Sequence, residues 1–96
     1  MTKYEIMFIV KATQESENIA ATAEAMKKII TDNKSNVVEF KEMGERKLAY
    51  AIKNEINGYY FVMQVEASHE AISEFDRKAL INETILRHLV IRIDEE

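Results

Sequence analysis

Tyr4, Ile6, Phe8 and Val10 alternate with Lys3, Glu5, Met7 and Ile9, and soon afterwards the apolar spacing changes to Ile19, Ala23, Met26 and Ile30. That change of period, from two to four-three-four, constrains the fold more than any total. Successive side chains of a strand point to opposite faces, whereas a helix returns to one face about every 3.6 residues. A strand with one apolar face, followed at once by a helix with one apolar stripe, is satisfied when the helix packs on the sheet. The chain has no proline and only two glycines. Periodicity rather than punctuation therefore carries the reading.

The same alternation of periods recurs downstream. Thr13 is placed to cap the first helix, and the polar run from Asn33 to Asn36 ends it. Val37 to Ile52 reads as one long strand bent near Gly44, because glycine inside a strand marks a bulge or bend. Asn57-Gly58 reads as a turn closing a loop that starts near Lys53. Tyr59 to Ala67 is a strand with Tyr59, Phe61, Met63 and Val65 on one face, and Tyr60, Val62, Gln64 and Glu66 on the other. Ser68 suits an N-cap, and Ala71, Ile72, Phe75 and Ala79 form the stripe of a second helix ending at Asn82. The last strand is expected over Ile85 to Ile93, with Leu89, Ile91 and Ile93 facing inward. The order strand, helix, strand, strand, helix, strand predicts an α+β, ferredoxin-like βαββαβ fold. Its four-stranded antiparallel sheet carries both helices on one face. Residues 1–96 are expected to form one domain, with Asp94-Glu95-Glu96 as a short acidic tail.

With the helices on one side, the other side of the sheet must meet water or a partner. Alternation assigns Met7, Ile9, Tyr60, Val62, His88, Val90 and Arg92 to it, rimmed by Lys3, Glu5 and Glu66. A sheet face left to water is mostly polar, so an apolar centre points to an interaction surface.

Several function classes have no residues to carry them. Without cysteine there are no disulfides and no thiolate metal sites. No stretch approaches the roughly 18 apolar residues of a membrane span, and the start lacks the pattern of a signal peptide, so a cytoplasmic protein is expected. Ser16, Ser35, Ser68 and Ser73 fall at or near helix positions without a nucleophile-elbow setting. His69 and His88 have no partner His or fixed carboxylate pattern nearby, and Glu70, Glu74 and Asp76 read as a solvated helix face rather than a metal site. Two glycines do not build a phosphate-cradling loop, and the Arg-containing loop of acylphosphatases, enzymes of this fold, is missing. No enzyme activity, cofactor or small-molecule substrate is expected. The formal charge of −4 argues against RNA binding by bulk attraction. An RNA role would need a local basic patch or a basic partner.

The most distinctive segment is Gly44-Glu45-Arg46-Lys47-Leu48-Ala49-Tyr50-Ala51-Ile52-Lys53. It joins a flexible point to two adjacent cations that a regular strand sends to opposite faces. Guanidinium suits phosphate through its forked donors, and ammonium acts as a point charge. The Gly-x-Arg-x-Leu-Ala-Tyr-x-Ile core resembles the signature of the bacterial small-subunit ribosomal protein six family. The resemblance extends over Tyr4-Glu5, Gly58-Tyr59-Tyr60 and Ile85-Leu86-Arg87-His88-Leu89-Val90-Ile91-Arg92. Many relatives carry Pro or Glu where this chain has Ala51.

The resemblance implies a structural protein that binds the central domain of small-subunit rRNA together with small-subunit ribosomal protein eighteen. A basic partner would also reconcile the acidic balance with an RNA assembly. On that footing Lys3, Arg46, Lys47, Arg87 and Arg92 are the expected RNA contacts, and Tyr50, Tyr60, Val62 and Val90 the expected partner contacts. The match itself does not sort cations between RNA and protein. The alternative is a non-catalytic ferredoxin-like regulatory or homodimerisation module using the same apolar face.

Overall fold

The computed structural model describes residues 2–12 and 15–93. The element order is β1 (Thr2–Lys11), α1 (Ser16–Asp32), β2 (Asn36–Ile52), β3 (Glu55–Ala67), α2 (His69–Ile81) and β4 (Ile85–Ile93). Thr13, expected to cap α1, and the acidic tail 94–96 lie outside the described residues. The strands form one antiparallel sheet in the order β2-β3-β1-β4.

The residues selected by period build the main core. Ile6, Phe8 and Val10 of β1 and Phe61, Met63 and Val65 of β3 meet Ile19, Ala23, Met26 and Ile30 of α1 and Ala71, Ile72, Phe75 and Ala79 of α2. Phe8 lies at the centre, its ring 5.2 Å from Phe61 in a stacked arrangement and 6.2 Å from Phe75 edge-on. Aromatic pairs at these separations add stabilisation beyond their buried area.

Local chemistry closes the helix ends. At the C-terminus of α1, Lys34 takes a positive φ of 61°, and Ser35 N–H donates to Ile30 O while Lys34 N–H donates to Thr31 O. This is the paired bonding of a Schellman end, built here without the usual glycine. Ser68 caps α2, its Oγ accepting from Ala71 N–H at 3.1 Å, and its own N–H donates to the buried Ser35 Oγ at 3.3 Å. One helix end is thus tied to the start of the other.

Three expectations are corrected. The hairpin turn between β2 and β3 is Lys53-Asn54, with φ of 51° and 66°, rather than Asn57-Gly58. Two successive positive φ values are those of a type I′ turn, whose twist matches that of the strands it joins. Gly58 lies inside β3, opposite both Arg46 and Lys11. Its small size serves packing: a Cβ there would fall 2.3 Å from Ile9 Cγ2 and 3.3 Å from Leu48 Cδ2. A close approach, not a turn, selects this glycine.

The second correction concerns β4, whose faces are exchanged. Ile6 pairs with Val90 and Phe8 with His88, so Val90 and His88 lie on the helix side, as does Arg92 opposite Tyr4. Leu89, opposite Met7, and Ile91, opposite Glu5, face away and are 48% and 49% exposed. The cause is a register shift: Val10 pairs with Ile85 but Ile9 with Arg87, leaving Leu86 as an extra residue. A bulge of one residue inverts every later side chain. The third correction is Ile9, which does point away from the helices but is buried, beneath Leu48 and Leu86.

Candidate nucleic-acid and partner interface

The long β2–β3 hairpin makes the second surface of the sheet. β2 bends at Gly44, with φ of 90° and a register shift between Glu42 and Gly44, as its glycine implied. Beyond Lys47 the ladder breaks and resumes only at Ile52 opposite Glu55. The intervening Leu48 to Ala51 segment brings Leu48 over Ile9 and Leu86, flanked by Ile52 and Tyr60. Two polar contacts hold this tip to β4. Arg87 Nη1 donates to Tyr50 Oη at 2.7 Å, and Lys53 Nζ donates to Ile85 O at 3.2 Å.

Strand register places the open face in rows. At one end lie Lys3, Glu66 and Asn36, then Glu5, Gln64 and Glu39. The middle row is Met7, Val62, Lys41 and Leu89, with Ile91 beside Glu5. The other end holds Ile9, Tyr60 and Arg87, then Lys11 and Arg46, with Lys53 tied in at the tip. The first end carries Glu5, Glu39 and Glu66 against Lys3 and Lys41, and Lys41 is itself paired to Glu39 at 3.6 Å. The far end gathers Lys11, Arg46, Lys53 and Arg87. The hairpin carboxylates Glu45 and Glu55 line a separate depression with Ala12 and Asn57. The open face is therefore polarised, with an apolar middle between an acidic end and a cationic one.

The expected site residues divide on this geometry. Arg46 and Arg87 share the cationic end, whereas Lys47, opposite Asn57, belongs to the helix side. Arg46 and Lys47 are both exposed, and neither is held in an ion pair among the described residues. Lys3 lies about 26 Å from Lys11 along β1 at about 3.3 Å per residue, and Arg92, opposite Tyr4, lies at the same end on the helix side. The five cations are not brought together. Tyr50, Tyr60 and Val62 reach the open face, and Tyr50 is 62% exposed. Val90 is half-buried against the main core, so it does not line this face. Leu89 and Ile91 take the place assigned to His88 and Val90.

Lys11 was missed although its parity with Ile9 announced it. Leu48, Lys53 and Leu86 had no such signal, because their positions follow from the broken ladder and the bulge. On the helix side His88 links β4 to α2: its Nε2 lies 3.0 Å from Asp76 Oδ1 and its ring packs edge-on against Phe75 at 6.1 Å. Among the described residues, Ser35, Ser68, Ser73, His69 and His88 form no nucleophile–base pair. No group of three or more metal-ligating side chains occurs among the described residues, and no helix among them is long and apolar enough to cross a membrane.

Comparisons with known proteins agree with this architecture. The family model described as ribosomal protein S6 matches residues 3–92. A crystal structure of 30S ribosomal protein S6 from Thermotoga maritima superposes with a TM-score of 0.91 at 29% identity, covering 96% of this chain and 87% of that one. With the family model spanning nearly every residue and the fold matched over almost the whole chain, the chain belongs to the ribosomal protein S6 family, whose members are structural, non-catalytic components of the small ribosomal subunit.

Proposed function

We propose that this protein binds small-subunit rRNA jointly with a basic protein, small-subunit ribosomal protein eighteen, and acts in the cytoplasm as a one-domain structural element of the particle. The observation that carries the reading is the polarised open face. Its acidic end complements a basic protein, and its cationic end complements phosphate. The apolar middle of Met7, Val62, Leu89 and Ile91 supplies the non-directional part of a protein contact. Arg46, Arg87 and Lys11 are the principal phosphate contacts, joined by Lys47 from the hairpin's other side. Lys3 on the open face and Arg92 on the helix side serve as separate, secondary contacts at the far end.

The test is co-sedimentation with small subunits from lysate, followed by RNA titration of the pure chain with and without the basic partner. The chain is expected to travel with the small subunit and to bind RNA weakly alone. With the partner, affinity should fall steeply with salt. The Arg46→Ala, Lys47→Ala double variant should lower the salt slope by about one for each phosphate it leaves unneutralised. A stable homodimer that never enters the particle would instead establish the homodimerisation module.

A further inference from the structure

We infer that the depression under the hairpin tip receives an unpaired nucleobase, an assignment that rests on the RNA-binding role proposed above and goes further by naming what enters. The depression has a volume of about 210 Å³ and is lined by Met7, Ile9, Leu48, Tyr50, Tyr60 and Leu89, with Arg87 in its wall. That is the volume of about seven waters at liquid density, far more than a bridging solvent molecule needs. Two tyrosine rings and aliphatic walls provide flat apolar surface against which any base can stack.

Preorganisation strengthens the argument. Tyr50 is mostly exposed, yet its hydroxyl is held by Arg87 at 2.7 Å. An exposed ring fixed in this way loses little freedom when a base stacks on it. Arg87 keeps further N–H donors for a phosphate or a base edge. Arg46, Lys11 and Lys53 stand around the same end, so the nucleotide's phosphates meet cations on several sides. A basic protein partner would meet repulsion here and complementarity at the Glu5, Glu39 and Glu66 end. The charge arrangement therefore assigns the depression to RNA and leaves the acidic end and the part of the apolar middle outside the depression, Val62 and Ile91, to protein. This moves Tyr50 and Tyr60 from the partner contacts, where the sequence placed them, to the RNA contacts.

The probe is a single-stranded, uridine-rich RNA carrying one 2-aminopurine, titrated with the full chain at low salt. Stacking should quench its fluorescence. Tyr50→Ala should weaken binding about tenfold, in line with the loss of one base–aromatic stack. Tyr50→Phe, which keeps the ring but loses the tether to Arg87, should weaken it only about twofold to threefold. Unchanged affinity for Tyr50→Ala, with its circular dichroism intact, overturns the assignment.

A second arm uses reconstituted small subunits and base-reactivity probing of the rRNA. The wild-type chain should shield at least one unpaired base that becomes reactive with Tyr50→Ala while the protein remains in the particle. An identical probing pattern would remove the base from this depression and leave the structural role standing. Loss of partner-protein binding by Tyr50→Ala in the absence of RNA would give the depression to a protein instead. Failure of the wild-type chain to enter the particle at all would overturn the proposed role, and this assignment with it.

Discussion

The sheet carries an apolar cluster on each face, and the two are built differently. On the helix side, Phe8, Phe61, Met63 and Phe75 are sealed by two amphipathic helices. On the other side, Ile9, Leu48 and Leu86 are covered only by the folded tip of a hairpin, with Tyr50 and Leu89 left exposed beside them. The first cluster removes its members from water through regular elements, so its contribution is to stability. The second is half-finished, with its rim open. Such a surface gains most when another molecule completes it. The comparison separates a part of the molecule that holds it together from a part that offers it to others.

Four substitutions test that division. The largest effect is expected for Phe8→Ala, which empties the centre of the helix-side core and should cost about 3–5 kcal/mol in urea unfolding. A cost as small for Phe8 as for residues of the opposite cluster would erase the distinction. Next is Gly58→Ala. Its added methyl collides with Ile9 Cγ2, a side-chain atom in a crowded cluster, and overpacking of this kind costs about 1–3 kcal/mol. In a double-mutant cycle, Ile9→Ala should relieve part of that cost, since it removes the clashing atom. Simple additivity would mean that β3 at Gly58 does not press on Ile9 of β1 as described. Ser68→Ala removes the hydroxyl cap of α2 and should cost about 1 kcal/mol.

The smallest effect is a titration. Tyr59 donates its phenol to Glu42 at 2.6 Å, and this hydrogen bond to a carboxylate raises the phenol above the usual tyrosine range. A raised folded value means that the bond's contribution is present below the ordinary tyrosine pKa and is lost as pH rises through the folded one. Ultraviolet titration should show Tyr59 ionising late, and Glu42→Gln should bring it back towards the ordinary tyrosine range.

The two clusters also mark what can be read from the amino acids. Ile6, Phe8 and Val10, the stripes of both helices and the Ser68 cap follow from regular period and local capping, and all are legible. The open face is legible in part. Met7, Tyr60 and Val62 lie where alternation puts them, because β1 and β3 are regular where they pair. Alternation exchanges the faces of His88, Leu89, Val90 and Ile91 because it runs straight through Leu86, where the ladder carries an extra residue. Asn57-Gly58 misleads for a related reason. The same dipeptide that suits a tight turn also suits a crowded strand, and only the neighbouring Ile9 and Leu48 decide between them. Leu48 over Ile9 depends on a hairpin tip that leaves its ladder, for which no simple period exists.

The extra residue at Leu86 decides what the molecule displays. Leu89 and Ile91 are outward only because one residue upstream has no partner on β1. Were the bulge closed, with Leu86 rather than Arg87 opposite Ile9 and each later residue moved one place along β1, the sequence would be unchanged, yet His88, Val90 and Arg92 would face outward and the two aliphatic residues would lie beneath the helices. Register at this point acts like a reading frame: a slip of one place rewrites the whole exposed message of β4 without altering a letter of it.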